Sequence, residues 1–203
     1  RAVPGLVVAE VHLDEADADI EELIADPAAA CRASGGAPHP RIPLPAALYG
    51  AARRNSSGPD LAHEPTLREL SQATQESASF YVREGDERAC IARVEGPQSV
   101  RHHVRIGMRL PLNLGAPGRV ILAFSGEAGE TYEDIRRRGY HISLGEREPQ
   151  VSSVAAPVFG LNWRLLGSMC ISGPTSRLNK AQLEAHARTV MDAANRLSYA
   201  LAG

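Results

Sequence analysis

Ser77-Ala-Ser-Phe-Tyr-Val-Arg-Glu-Gly-Asp-Glu-Arg-Ala-Cys-Ile-Ala-Arg-Val-Glu95 holds two apolar runs, 78–83 and 88–95, on either side of the turn-forming Glu84-Gly85-Asp86-Glu87. Two such runs around a short glycine-containing turn predict an antiparallel hairpin. A third strand is expected at Val100–Ile106. Upstream, Asp60 can cap a helix running to about Thr74, with Leu61, Leu67 and Leu70 inward and Pro65 near its first turn. Downstream come Gly107, the loop Leu110-Pro-Leu-Asn113, a helix from about Gly115 to Phe124 and a polar helix, Glu130–Arg138. Strands follow at about Tyr140–Ser143, Val151–Phe159 and Arg164–Ser172, and Asn179 opens a last helix, where Gln182 completes a capping box. Leu183, Ala187, Val190, Ala194, Leu197 and Leu201 form that helix's buried stripe. Antiparallel strands with helices at both ends and in the middle predict an α+β sandwich with a central sheet covered on at least one face.

The chain has 203 residues, 43% of them hydrophobic, and a formal net charge of −2, as expected of a single soluble domain with a short appendage. Its longest apolar stretches, 120–124 and 154–159, fall well short of the roughly 18 residues that span a bilayer. Cys31, Cys90 and Cys170 are scattered, with no C-x-x-C spacing, which argues against a disulfide framework or structural zinc and fits a reducing cytoplasm. The charge is unevenly placed. Residues 1–45 carry eight acidic residues against three arginines, a balance of −5, so the remainder is +3. This acidic front end ends in the Gly/Pro-rich stretch 34–45, read as a linker or remnant, and Ala46–Asn55 is a short helix candidate with Ala47, Leu48, Ala51 and Ala52 on a small apolar face. The division is therefore expected at 1–45 and 46–203. Aromatic residues are 4% of the chain and lie in or beside apolar runs, so Phe80, Tyr81, Phe124, Phe159 and Trp163 read as core, not as base-stacking platforms.

Several blocks resemble the effector-binding domain of IclR-type transcriptional regulators. Leu48-Tyr-Gly-Ala-Ala52, Thr66-Leu-Arg-Glu-Leu70 and Ser77–Val82 are similar to its linker helix and first strand. More specific are Gly107–Asn113 with Gly115-Ala-Pro-Gly-Arg119, then Arg136–Tyr140 with Glu146, Pro149, Val151 and Ala155–Phe159, and finally Ser172–Leu178. They occur in the family's order over residues 46–203. Arg119 stands where many members have lysine, Gln150 where glycine is usual, and Gly160-Leu-Asn-Trp163 replaces a tighter turn. The resemblance implies a GAF-like sandwich, a small-molecule pocket, no cofactor, and a homodimer or homotetramer. It also implies operator DNA as a partner if a complete winged helix-turn-helix is present. Residues 1–45 do not align to a recognition helix, so that unit is expected to be lost or absent from the chain as given.

A helix starting near Gly115 points backbone N–H groups outward, and glycine admits a ligand close to the backbone, so an anion is the natural guest. The resemblance implies that Gly115 and Ala116 offer this corner to a small organic acid while Ser143, Ser153, Cys170 and Ser172 face it from the strands. Cys170 and Ser172, two apart on a strand, share a face. Adjacent His102 and His103 would point opposite ways on a strand, so they cannot both bind one metal, and read as surface or hairpin positions. His141 reads as packing beside Ser143, His63 as helix surface and Cys90 as core. Cys170 is the better thiol candidate. The acidic cluster Asp14–Glu22 lacks the spacing and glycine of a calcium loop, Arg136–Arg138 reads as a solvated face or a set of salt bridges, and Gly115–Gly118 is no Walker loop. The reading is a cytoplasmic, ligand-responsive regulator that performs no bond chemistry. The alternative is an effector-binding or interaction module that has lost DNA binding, which the acidic front end favours.

Overall fold

The computed structural model describes residues 60–202, with side chains from His63 to Leu201; the segment 1–45, the helix candidate at 46–55 and the 45/46 boundary lie outside the described residues. Helix α1 (Asp60–Thr74) leads into β1 (Ser77–Glu84) and β2 (Glu87–Val94), then β3 (Arg109–Pro111), α2 (Ala116–Phe124), α3 (Glu130–Arg138) and β4 (His141–Leu144). After them come β5 (Val151–Phe159), a 3-10 turn at Leu161–Trp163, β6 (Leu165–Pro174) and α4 (Lys180–Ala202). The strands form one sheet in the order β3-β2-β1-β6-β5-β4, every neighbouring pair antiparallel. This is the expected α+β architecture.

Strand residues alternate between faces, and the two faces build two cores. Ala78, Phe80, Val82, Val154, Ala156, Val158, Met169 and Ile171 pack with Leu67 and Leu70 of α1 and with Leu183, Val190 and Leu197 of α4. Tyr81, Cys90, Ala155 and Cys170 pack on the other face with Val120 and Ile121 of α2 and Ile135 of α3. Of the stripe read for α4, Leu183, Ala187, Val190, Ala194 and Leu197 are buried and Leu201 is partly buried. Its capping box forms as expected: Asn179 N–H donates to Gln182 Oε1 and Gln182 N–H to Asn179 Oδ1, both at 3.1 Å. Helix α3 carries Glu130 and Glu133 in its first turn and Arg136, Arg137 and Arg138 in its last, each set opposite in sign to the helix end it sits on.

Four local expectations change. The stretch Leu110–Asn113, read as a loop, begins in strand β3, because Leu110 and Pro111 pair with Arg88 and Glu87 of β2. Val100–Ile106 is a loop: only Val104 of its apolar residues is buried, while Val100 and Ile106 are 70% and 47% exposed. Side-chain donors hold the loop instead, Arg93 reaching His102 O and Arg177 reaching Val100 O at 3.0 Å. Arg177 also pairs with buried Glu76, so one guanidinium joins the start of β1 to this loop. His63 is 3% exposed and lies against Phe80, ring centroids 4.8 Å apart, because the first half of α1 already rests on β1. Trp163 is 38% exposed, since Asn162 and Trp163 turn the β5–β6 connection at φ of 56° and 57° and leave the indole edge-on to Phe159 rather than beneath it.

Candidate functional site

A small cavity of about 30 Å³ opens on the α2 side of the sheet, lined among others by Tyr81, Arg88, His102, Gly115, Arg147, Glu148 and four strand residues. Those four are Ser143, Ser153, Cys170 and Ser172. The sheet register explains their company. Ser143 is opposite Ser153, Ser153 opposite Ser172, and Ser172 opposite Ser77, so four hydroxyl residues cross β4, β5, β6 and β1 in one row. Cys170 stands one step along the same face, opposite Ser79 and Ala155.

Gly115 also borders the cavity. Its φ of +80° requires glycine, and a Cβ there would touch the Arg88 guanidinium at 3.4 Å. Its N–H donates to Glu146 Oε2 at 3.2 Å, and Arg119 Nε donates to the same oxygen at 2.8 Å. The anion at the start of α2 is therefore a carboxylate of the chain itself. Burial pushes the Glu146 carboxyl up, but these hydrogen bonds and the Arg119 charge outweigh it and hold it below the usual range. His141 Nε2 lies 3.6 Å from Glu146 Oε1, and burial lowers its pKa. The Ala116 side chain is fully buried in the core beneath α2 and is not among the residues lining the cavity.

The cations are what sequence reasoning missed. Arg88, 2% exposed, donates to Pro111 O and to Leu114 O at 2.8 Å, and lies over the Tyr81 ring at 5.4 Å. Arg93 donates to Ser79 Oγ at 2.8 Å behind His102. Neither has an acidic side chain within ion-pair distance among the described residues, and the Nε of each is buried without a hydrogen-bond partner there. Arg147 reaches in from the β4–β5 loop, 2.6 Å from His102 Nε2 and 2.6 Å from Glu148 Oε1. His102 Nδ1 is 3.1 Å from Ser172 Oγ. Burial first, then Arg147, Arg93, His103 and Arg88, push the His102 pKa down to about 4, so the ring is neutral at pH 7. His102 is not at a surface or hairpin position: its side chain is 8% exposed, because the 95–108 segment folds over the site as a loop.

The proton positions follow from the donors. A guanidinium only donates, so His102 Nε2 must accept from Arg147 and the ring hydrogen sits on Nδ1. That hydrogen is donated to Ser172 Oγ, which leaves the Ser172 hydroxyl hydrogen available to another acceptor. The thiols suit packing, not reaction: burial pushes Cys170 up to about 12 and Cys90 up to about 11. Among the described residues no group of three or more His, Cys, Asp or Glu is placed to hold a metal ion, and no helix is long and apolar enough to cross a membrane.

The family model described as bacterial transcriptional regulator IclR C-terminal matches residues 60–133 and 129–199, and the chain belongs to that family. Its relatives include the HTH-type transcriptional regulators BhcR of Paracoccus denitrificans, 28% identical over 179 residues (76% of this chain, 64% of BhcR), and XynR of Escherichia coli, 29% identical over 160 residues (66% of this chain, 64% of XynR). The chain thus spans about 64% of the length of these curated relatives. A stretch of 73 residues is 49% identical to the bifunctional protein PutA of Rhizobium meliloti, covering 34% of this chain and 6% of PutA. Among solved structures, the C-terminal domain of a transcriptional regulator from Vibrio cholerae is 29% identical with a TM-score of 0.59, covering 70% of this chain and 98% of that domain. An IclR-family regulator from Rhodococcus is 26% identical with a TM-score of 0.66, covering 77% of this chain and 69% of the other. Residues 60–199 thus correspond to the C-terminal domain of the IclR family.

Proposed function

We propose that this domain senses a small organic acid in the cavity beside α2, and that occupancy shifts the population of a DNA-binding homodimer or homotetramer. The carrying observation is the charge around the cavity: Arg88 and Arg147 line it beside a wall of hydroxyls, Arg93 stands behind His102, and Glu148 is the carboxylate at its rim. A buried guanidinium without a counter-charge is costly, and an entering carboxylate offsets that cost. Gly115, Ser143, Ser153, Cys170 and Ser172 form the walls of the proposed site, and Ala116 supports it from the core side. A cytoplasmic regulator of transcription fits this reading, with the PutA likeness confined to a small part of that protein.

Calorimetry of 2-oxo, hydroxy and aromatic acids against the full chain tests the proposal. A binder is expected to raise the melting temperature, because it stabilises the folded state alone. Ser172→Ala should weaken it by about 1–3 kcal/mol, the scale of a charge-assisted hydrogen bond. Replacing Gly115 by Leu should block it, since that side chain enters the space beside Arg88. A binder whose affinity survives both changes lies elsewhere. The acidic balance of residues 1–45 favours a second reading, a sensing or interaction module without DNA binding, and a DNA-binding measurement separates the two.

A further inference from the structure

The cavity is small, about 30 Å³, it opens to solvent, and the chain's own side chains narrow it. Arg147 occupies the space between His102 and Glu148, and it comes from the loop 145–150 joining β4 to β5. That loop is anchored at its base: Gly145 N–H donates to Val151 O at 3.0 Å, Val151 N–H to Glu148 O at 2.9 Å and Thr175 N–H to Gln150 O at 2.9 Å. On one side Glu146 is held by Gly115 and Arg119. On the other side Glu148 is 47% exposed, and its carboxylate satisfies Arg147 in a contact that water can reach.

Building on the acid-sensing reading, we propose that Arg147 and His102 are the recognition pair for the effector carboxylate, and that Glu148 is an internal competitor which that carboxylate displaces. Each part has a physical ground. Among the described residues Arg147 has one carboxylate partner, which is half-exposed, so the ion pair that an effector must replace is a weak one. Neutral His102 accepts from Arg147 and donates to Ser172, which holds the guanidinium and the free Ser172 hydroxyl hydrogen toward one acceptor. The exchange frees Glu148 and so alters the 145–150 loop, which touches the start of α2 through Glu146.

The test is calorimetric titration of the full chain with lactate, 2-oxobutyrate and benzoate, comparing wild type with Glu148→Gln, Arg147→Gln and Glu95→Gln. Glu95→Gln removes the same charge from the neighbouring loop, where Glu95 pairs with Arg101, and should leave affinity unchanged. Glu148→Gln should tighten binding about threefold, the scale of releasing a partly exposed ion pair. Arg147→Gln should weaken it about tenfold or more, the loss of a hydrogen bond to a charged group. Circular dichroism checks that each variant is folded, and if Arg147→Gln is not, Glu148→Gln against Glu95→Gln decides alone. An acid that binds only after Glu148→Gln also supports the competitor. Binding to wild type with either Glu148→Gln or Arg147→Gln unchanged, or with Glu95→Gln matching Glu148→Gln, overturns this inference and leaves the acid-sensing site standing. No binding to wild type or to Glu148→Gln overturns both.

Discussion

His102 shows how a side chain takes its chemistry from its neighbours. Buried among Arg147, Arg93 and Arg88, with Glu148 3.9 Å from its Nε2, the imidazole is neutral in the folded chain until the pH nears 4. Unfolded, it titrates near about 6.5. A depressed folded pKa gives stability that is complete above about pH 6.5 and is lost progressively as the pH falls toward 4. The gap is worth at most about 3 kcal/mol. The stability difference between wild type and His102→Gln should therefore shrink by about 2–3 kcal/mol between pH 7 and pH 4, measured by urea denaturation at each pH. A difference that stays constant would mean that the ring is solvated. The two thiols carry the complementary lesson: both face the cavity side of the sheet, yet burial keeps them protonated.

At the scale of elements, α2 is held close to the β3–α2 loop by glycine. A Cβ on Gly118 would collide with the Leu112 carbonyl oxygen and with Arg88, so helix, loop and buried arginine meet in one place. Alanine is the better helix former by about 1 kcal/mol, and by that measure Gly118→Ala should stabilise. Overpacking against backbone costs more, about 1–3 kcal/mol. Gly118→Ala is thus expected to destabilise by about 1–2 kcal/mol in chemical denaturation and to weaken acid binding by displacing Arg88. A more stable variant would show that α2 does not press on Leu112. The far end of α2 is held by Arg136, which donates to Ala123 O at 2.6 Å and Glu127 O at 3.0 Å. The triple-arginine segment, read as a solvated face, therefore includes one residue that caps a neighbouring helix.

For the whole molecule, charge separates the two functional readings. Phosphate binding needs a basic surface, and residues 1–45 carry a balance of −5. The full chain is expected to bind duplex DNA weakly and with little sequence preference at physiological salt, as read by gel shift. Specific binding near about nanomolar strength would instead show that residues 1–59 hold a reading element.

The elements were legible in the sequence because their signals are local. Turn chemistry at Glu84–Glu87, the Asn179–Gln182 capping box and the spacing of Leu183, Val190 and Leu197 each act within a few residues, and the structure has them as read. The face shared by Cys170 and Ser172 was legible too, since alternation along one strand is a local rule. The cationic half of the cavity was not. In β2 the register slips between Phe80 opposite Ala92 and Tyr81 opposite Cys90, so Ile91 is an extra residue. One added residue turns everything beyond it to the opposite face, and it is this bulge that puts Cys90 and Arg88 on the cavity side. His102 and Arg147 come from loops whose course is set by side-chain grips from Arg93, Arg177 and Arg119, on residues far away in the chain. Local pattern decides elements because it acts along the backbone, whereas only the folded sheet decides which charges from distant segments share one cavity.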